Sequence, residues 1–572
     1  MTHIFRLIGI LLPLAAFAQD GPRFVEERIG RERAMGAGFP AMRLFDMQPP
    51  GPATDALWSD ALSAATVLRY DAAAAAALLA APPERMALEL PRPGGPLVLH
   101  LVRSQPLAPA FVVRESATGA AAESEPGAHY QGIVAGVPGS LAAISVFRGE
   151  AMGVIGDAGA NWVLGPLDGQ AQGLHVLYDD ARLRAAPQRP CGLVEERAPG
   201  YTREELRIAG HPKTIRCVRI YWEAAYDLFQ NKGSVANVTN YLTGLFNQMA
   251  TLYNNDGIQV QLSEIFVWST PSPYNATSSS GRLSQFGQVR TSFNGDLAHL
   301  LDLGNYGGIA WLGTLCGSTS SRMAYSGINA SYSNVPTYSW SVEVVTHETG
   351  HNLGSRHTHA CVWNGNNTAI DGCGQAAGYS EGSCPQGPLP PSSVGGTIMS
   401  YCHLTSSTIK FANGFGPQPR AVIVNRVNSA LCLAQCGTSC DPPEPLTVSN
   451  LTAVSAVLGW ANFGMGSYTL RWKPTASGAW TSVTGLTGNS YTLTGLTQQT
   501  EYEFQVQSVC SSSSSAFSGS LAFTTPVPCT DAYEPNNTTG AATVVTLPAS
   551  LNGLISPSGD NDYFRFTTGG AS

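Results

Sequence analysis

Apolar and polar positions alternate with a period of two through residues 86–90, 97–102, 110–114, 129–134 and 141–147, with Gly and Pro at the breaks. That period belongs to strands with distinct faces, so a run of antiparallel strands is predicted here. Just before them the Ala-rich run 72–81, bounded by Asp71 and by Pro82 and Pro83, predicts a short soluble helix. From residue 215 the pattern becomes mixed. Segments 215–222, 258–268, 309–312 and 323–328 read as strands. Between them, Val238, Leu242, Leu245, Phe246, Met249 and Leu252 recur three or four positions apart, which predicts a long helix over 234–256. Further helices are expected over 283–293 and 341–353, with a short element at 297–303. Strands and helices mixed in one unit predict an α/β domain with a twisted mixed sheet.

A third pattern begins near residue 446. About seven short alternating strands follow within 90 residues, ending near residue 525, which indicates a β-sandwich. Trp460 suits an early core tryptophan, and Tyr502 falls where such sandwiches place a corner tyrosine.

Composition narrows the setting. The chain has 572 residues, enough for about three to four domains. Only 13% are charged, about half the usual share. The net charge is −8 and there is no basic run, which argues against nucleic acid as a partner. Residues 1–18 read as a signal peptide: Arg6, an apolar run from Leu7 to Ala15, and Ala16-Phe17-Ala18 as the cleavage site. The apolar run is too short to span a membrane. Seven of the twelve cysteines lie between Cys316 and Cys436 and no C-x-x-C pair occurs, so disulfides of a secreted protein are expected. Their connectivity is not legible.

The chemistry concentrates in His347-Glu348-Thr349-Gly350-His351-Asn352-Leu353-Gly354-Ser355-Arg356-His357, an H-E-x-x-H-x-x-G-x-x-H pattern. On a helix, His347 and His351 share one face a turn apart, close enough to bind one metal ion. Gly354 permits a sharp exit from the helix that returns His357 as a third ligand. Three nitrogens with an open position suit a catalytic zinc, and Glu348 is placed to act on a water there as general base. The five fixed positions match by chance about once in ten million starting points. His359 is a weaker candidate for third ligand, and His299 and His403 read as structural or exposed.

Met399, in Gly395-Gly396-Thr397-Ile398-Met399-Ser400-Tyr401-Cys402, completes the pattern as a methionine turn. On these residues the sequence resembles a metzincin zinc endopeptidase of the reprolysin (adamalysin) type, from about Thr214 to Cys436. Typical members carry Asp directly after the third histidine, where this chain has Thr358, which leaves the subfamily open. The resemblance implies that Ile309, Ala310, Trp311 and Leu312 form the sheet edge that pairs with an extended substrate. It also implies a propeptide before the catalytic unit: the Tyr130-Gln131-Gly132-Ile133-Val134 stretch is similar to that pattern. Cys191, followed by Gly192, would then be a latency ligand of the zinc; the alternative is a disulfide, with Cys217 as one partner. Activating cleavage would fall between Cys191 and about Pro212, with Arg197, Arg203 and Arg207 as candidates. Calcium is an accessory carried by many secreted relatives. The 446–525 sandwich looks like a fibronectin type III domain, with Cys440–Cys510 as a candidate bridge. Residues 531–537 and 559–566 resemble the bacterial pre-peptidase C-terminal β-domain, of which about half would be present.

The expected architecture is therefore multidomain: signal peptide 1–18, a mainly β propeptide 19–212, an α/β metzincin catalytic domain 213–438, a fibronectin III-like domain 439–527 and an incomplete β-domain 528–572. The expected function is a secreted zinc metalloendopeptidase, made as a latent zymogen, acting on protein or peptide substrates. Rival expectations are an extracellular adhesion or matrix-binding protein with an inactive metzincin domain, engaging partners through its C-terminal β-domains, and a zinc amidase or other hydrolase. A bacterial source fits the C-terminal resemblance.

Overall fold

The computed structural model describes residues 23–568, apart from 35, 37, 123–126, 158, 168–172, 185–190, 195–199, 209–212, 330–337, 435–441, 444–445, 461–466, 510–513, 528–532, 534 and 552–560. The signal-peptide region, Arg197, and Cys436, Cys440, Cys510 and Cys529 lie outside the described residues. The chain forms two compact units, 1–439 and 440–572.

The first unit is built on two sheets. The larger has ten strands, drawn from Ala41–Arg43 through Leu174–Asp179. Its neighbours run antiparallel except for one parallel pair, Ala41–Arg43 with Arg85–Leu90. The alternating segments form the expected strands Arg85–Leu90, Leu97–Arg103, Ala128–Val134 and Leu141–Val146, and the Ala-rich run is the helix Ala72–Ala80, capped by the Asp71 side chain. Leu88, Leu99, Tyr130, Ile144 and Leu177 fill the core on one face. Strand Leu141–Val146 is buried on both faces because the helix Val235–Asn255 lies across it. The Asn247 amide donates to the Tyr130 and Ile144 carbonyls, both at 3.2 Å.

The second sheet has seven strands, in the order Cys191–Val194, Gly308–Trp311, Met323–Gly327, Leu297–Asp302, Cys217–Ala224, Gln259–Val267 and Leu107–Glu115. All neighbours are parallel except Gly308–Trp311 with Met323–Gly327. Two of these strands come from the segment before residue 213, and they occupy the two edges. Segment 110–114, predicted as one of the antiparallel strands, lies in Leu107–Glu115, which pairs in parallel with Gln259–Val267 in this second sheet. The helix predicted over 283–293 runs Ser279–Val289, because the Ser278 hydroxyl caps it earlier by accepting from Gly281 N. The short element at 297–303 is the strand Leu297–Asp302.

The second unit holds a three-stranded and a four-stranded sheet around Leu458, Trp460, Tyr468, Leu470, Phe504 and Val506. The Tyr502 hydroxyl accepts from Thr497 N at 3.0 Å, which ties the strand to the turn before it. Among the described residues beyond the sandwich, Thr543–Val544 pairs with Phe564–Arg565.

Candidate metal centre

The helix Tyr338–Asn352 carries the first half of the motif. It is buried on all sides through its last turns, so its polar residues must find partners within the protein. Gly354 ends it at φ +103°, a backbone angle that favours glycine. Gly354 N donates to His351 O at 2.8 Å and Ser355 N to Gly350 O at 3.0 Å, closing the turn that brings His357 back.

His347, His351 and His357 meet as expected. The Nε2 atoms of His347 and His357 each lie 3.1 Å from His351 Nε2. Every Nδ1 faces an acceptor: Ile398 O at 2.7 Å for His347, Ser355 O at 2.7 Å for His351, and the Glu381 carboxylate for His357. With Nδ1–H donating outward, three Nε2 lone pairs converge on one point with no proton between them. Zinc–nitrogen bonds of about 2.0–2.1 Å at tetrahedral angles would separate such nitrogens by about 3.3 Å, so the cluster fits a zinc ion. Burial holds all three rings neutral, the form that ligates: it lowers His351 and His357 to about 3 and His347 well below its usual value.

Glu348 is fully buried beside the Cys191 thiol, and burial raises its carboxyl well above the usual range. Gly308 faces it, and a Cβ at Gly308 would fall on the Glu348 carboxyl. Met399 lies under the helix: a Cβ on Gly350 would sit 2.7 Å from its sulfur. The flanking backbone ties the turn to the motif, with Ile398 O on His347 and Met399 O accepting from Thr358 N at 3.0 Å.

Cys191 is a free, buried thiol, and Cys217 is disulfide-bonded, so the Cys191–Cys217 pairing is excluded. The ligating atoms of Cys191, His347 and Glu348 lie within 4.8 Å of one another. Residues Cys191–Val194 pair in parallel with Gly308–Trp311, in the register Cys191 to Gly308 and Gly192 to Ile309. The expected substrate edge is thus already covered in this structure. It ends at Trp311; Leu312 lies in the following turn. The Tyr401 hydroxyl donates to the Cys191 carbonyl.

His359 stays outside the three-nitrogen cluster and stacks on His357, ring centroids 5.0 Å apart. His299 is buried with Nε2 2.8 Å from the Ser326 hydroxyl, and His403 lies 2.9 Å from Glu343. Sequence reasoning missed Glu381, Tyr401 and Gly308. Tyr401 stands two residues after Met399, a signal that was there to weigh. Glu381 is 24 residues from His357 with no spacing to mark it. Asp371 lies with Cys373 and Cys402, but those cysteines are joined in a disulfide and do not ligate. Disulfides also join Cys316 to Cys432 and Cys361 to Cys384, which fits an oxidising compartment. Among the described residues no helix is long and apolar enough to cross a membrane. The groups of three ligating side chains found among them include no all-carboxylate set of the kind calcium takes.

A buried helix with two histidines, a glycine turn returning a third, and a methionine turn beneath them define a metzincin-type metallopeptidase site. Residues 214–410 match the family described as Metallo-peptidase family M12, of the reprolysin type, and residues 441–524 match the fibronectin type III domain. The chain carries a reprolysin-like metallopeptidase domain followed by a fibronectin type III domain. A curated relative, the zinc metalloproteinase-disintegrin-like protein kaouthiagin-like of Naja atra, is 25% identical over 301 residues, 47% of this chain and 49% of that protein. This chain thus spans about half the length of that relative. Two solved structures, one titled as a myokine structure and one a redesigned β-sandwich, are 26% and 25% identical. Each covers 15% of this chain, with 99% and 92% of their own chains covered and TM-scores of 0.15.

Proposed function

We propose that this protein is a secreted zinc metalloendopeptidase, made in a latent form, that hydrolyses peptide bonds within proteins. The observation that carries the reading is the convergence of the His347, His351 and His357 Nε2 atoms, each ring turning its Nδ1 to an acceptor, beside the buried Glu348 carboxyl. His347, His351 and His357 would hold a zinc ion, which would supply the Lewis acidity that polarises a carbonyl and activates a water. Glu348, once the covering segment is gone and its carboxylate is solvated, would take a proton from the attacking water and pass it to the leaving amine. The backbone of Gly308–Trp311 binds an extended substrate through groups that need little from its side chains.

Latency follows from Cys191. Its thiol reaches the position next to His347 and Glu348 that a water would need, and Cys191–Val194 fills the strand slot of a substrate. Residues 200–208 are different. Tyr201 donates its hydroxyl proton to Gly354 O at 2.6 Å and accepts from Arg356 N at 3.0 Å, bracing the turn inside the zinc motif. Cleavage after Arg203 or Arg207 would detach Tyr201 from the enzyme, so activation is assigned to the chain before Tyr201.

The test measures zinc content and casein hydrolysis for the full chain and for a form beginning at Gly200, each with and without Glu348→Ala. One zinc per chain throughout, with hydrolysis only in the shortened form and lost on Glu348→Ala, is expected. Zinc without hydrolysis in either form would favour the adhesion-protein reading.

A further inference from the structure

Two of the three clustered histidines are oriented by main-chain carbonyls and one by a carboxylate. We propose that Glu381 is a positioning residue of the metal centre, tuning His357 as a ligand through a charged hydrogen bond; the inference rests on the zinc reading above. His347 and His351 direct Nδ1 at Ile398 O and Ser355 O, neutral acceptors at 2.7 Å. His357 Nδ1 instead meets Glu381 Oε1. A carboxylate in this place fixes the Nδ1–H tautomer, as a carbonyl does, and it also makes Nε2 a stronger donor to a cation. Its negative charge lies one ring away from the metal position.

The contact is built into the backbone. Glu381 O accepts from Cys361 N at 3.0 Å, within a parallel bridge between Ala360 and Glu381. The Cys361–Cys384 disulfide closes the loop three residues further on. From the other side, Trp363 Nε1 donates to His357 O at 2.7 Å, and the Tyr401 ring packs across the His357 ring at 4.7 Å. His357 is thus held in one orientation, with Glu381 at its outer nitrogen. His359 Nε2 also faces this carboxylate, but at 3.7 Å it is beyond hydrogen-bonding reach. The Glu381 side chain is 32% exposed, so its truncation opens no buried cavity.

The test is zinc affinity in the full chain, by competition with a chromophoric chelator, for the parent, Glu381→Gln and Glu381→Ala. Melting of the zinc-free proteins and the visible absorption of their cobalt-loaded forms are recorded beside it. Glu381→Ala should weaken zinc binding by about tenfold to a hundredfold. Glu381→Gln, whose amide oxygen still accepts the proton but lacks the charge, should fall between. The zinc-free melting points should agree, and the cobalt spectra should differ. Zinc bound by both variants within twofold of the parent would overturn the proposal. A parent that binds no zinc would instead overturn the zinc reading itself, so the two failures are distinguishable. If Glu381→Ala does not fold, Glu381→Gln decides.

Discussion

Single residues at this site act by shape as much as by charge. Gly308 belongs to the strand beside the metal centre, and its missing Cβ leaves the space that the Glu348 carboxyl fills. Gly350 does the same for Met399 on the other side of the helix. Gly308→Ala should displace Glu348 while leaving the three histidines in place. In a form beginning at Gly200, that change should lower casein hydrolysis on the order of a hundredfold, the loss expected when a general base is misplaced, with zinc content unchanged. Hydrolysis at the parent rate would show that Glu348 has room to spare, or that it is not the base.

Among the elements, the segment 200–208 has the least expected position. By sequence it falls inside the expected propeptide 19–212, yet it docks on the zinc motif. Tyr201 packs against Trp363, ring centroids 4.7 Å apart, and braces Gly354 and Arg356. Leu206 joins the same cluster, and Asn425 donates to the Glu205 and Arg207 carbonyls. Two hydrogen bonds of about 1 kcal/mol each are enough to shift the population of a correctly turned loop. A form beginning at Lys213 should therefore hydrolyse casein about tenfold more slowly than one beginning at Gly200. Equal rates would mean that the motif turn holds without this brace.

At the scale of the first unit, the chain before residue 213 covers both edges of the catalytic sheet, with Leu107–Glu115 at one and Cys191–Val194 at the other. The larger sheet also seals one side of the helix Val235–Asn255. So large a buried region carries ionisable groups away from water, which couples stability to pH. His299 shows the effect cleanly, since burial lowers it from 6.5 to about 3. Below pH 6.5 the unfolded chain takes up a proton at this position that the folded chain refuses until about pH 3. Its contribution is complete above pH 6.5 and is lost as pH falls through that window. Between pH 7 and pH 5 the parent should lose about 2 kcal/mol more stability than His299→Gln, read from urea unfolding of both at the two pH values. Equal losses would place the His299 ring in contact with water.

Much of this protein was legible in its pattern alone. The strand and helix periods marked the sandwich strands and the helix Val235–Asn255, because those elements bury a face whose spacing is local. The zinc motif was legible for the same reason: His347, Glu348 and His351 share one helix, and Gly354 turns His357 back within a few residues. The family resemblance, rather than any spacing, marked Cys191 as a thiol of interest, and it left the partner open. Tertiary structure decided what no spacing encodes. It left Cys191 free at the metal centre, paired Leu107–Glu115 with Gln259–Val267, and set Tyr201 against the zinc loop. It also brought Glu381 to His357 across a disulfide-closed loop. Each of these contacts depends on how separately folded segments meet, so the residues carry no periodic signature. What the sequence determined was the chemistry of the ligands; what the tertiary structure decided was the set of groups that orient, cover and support them.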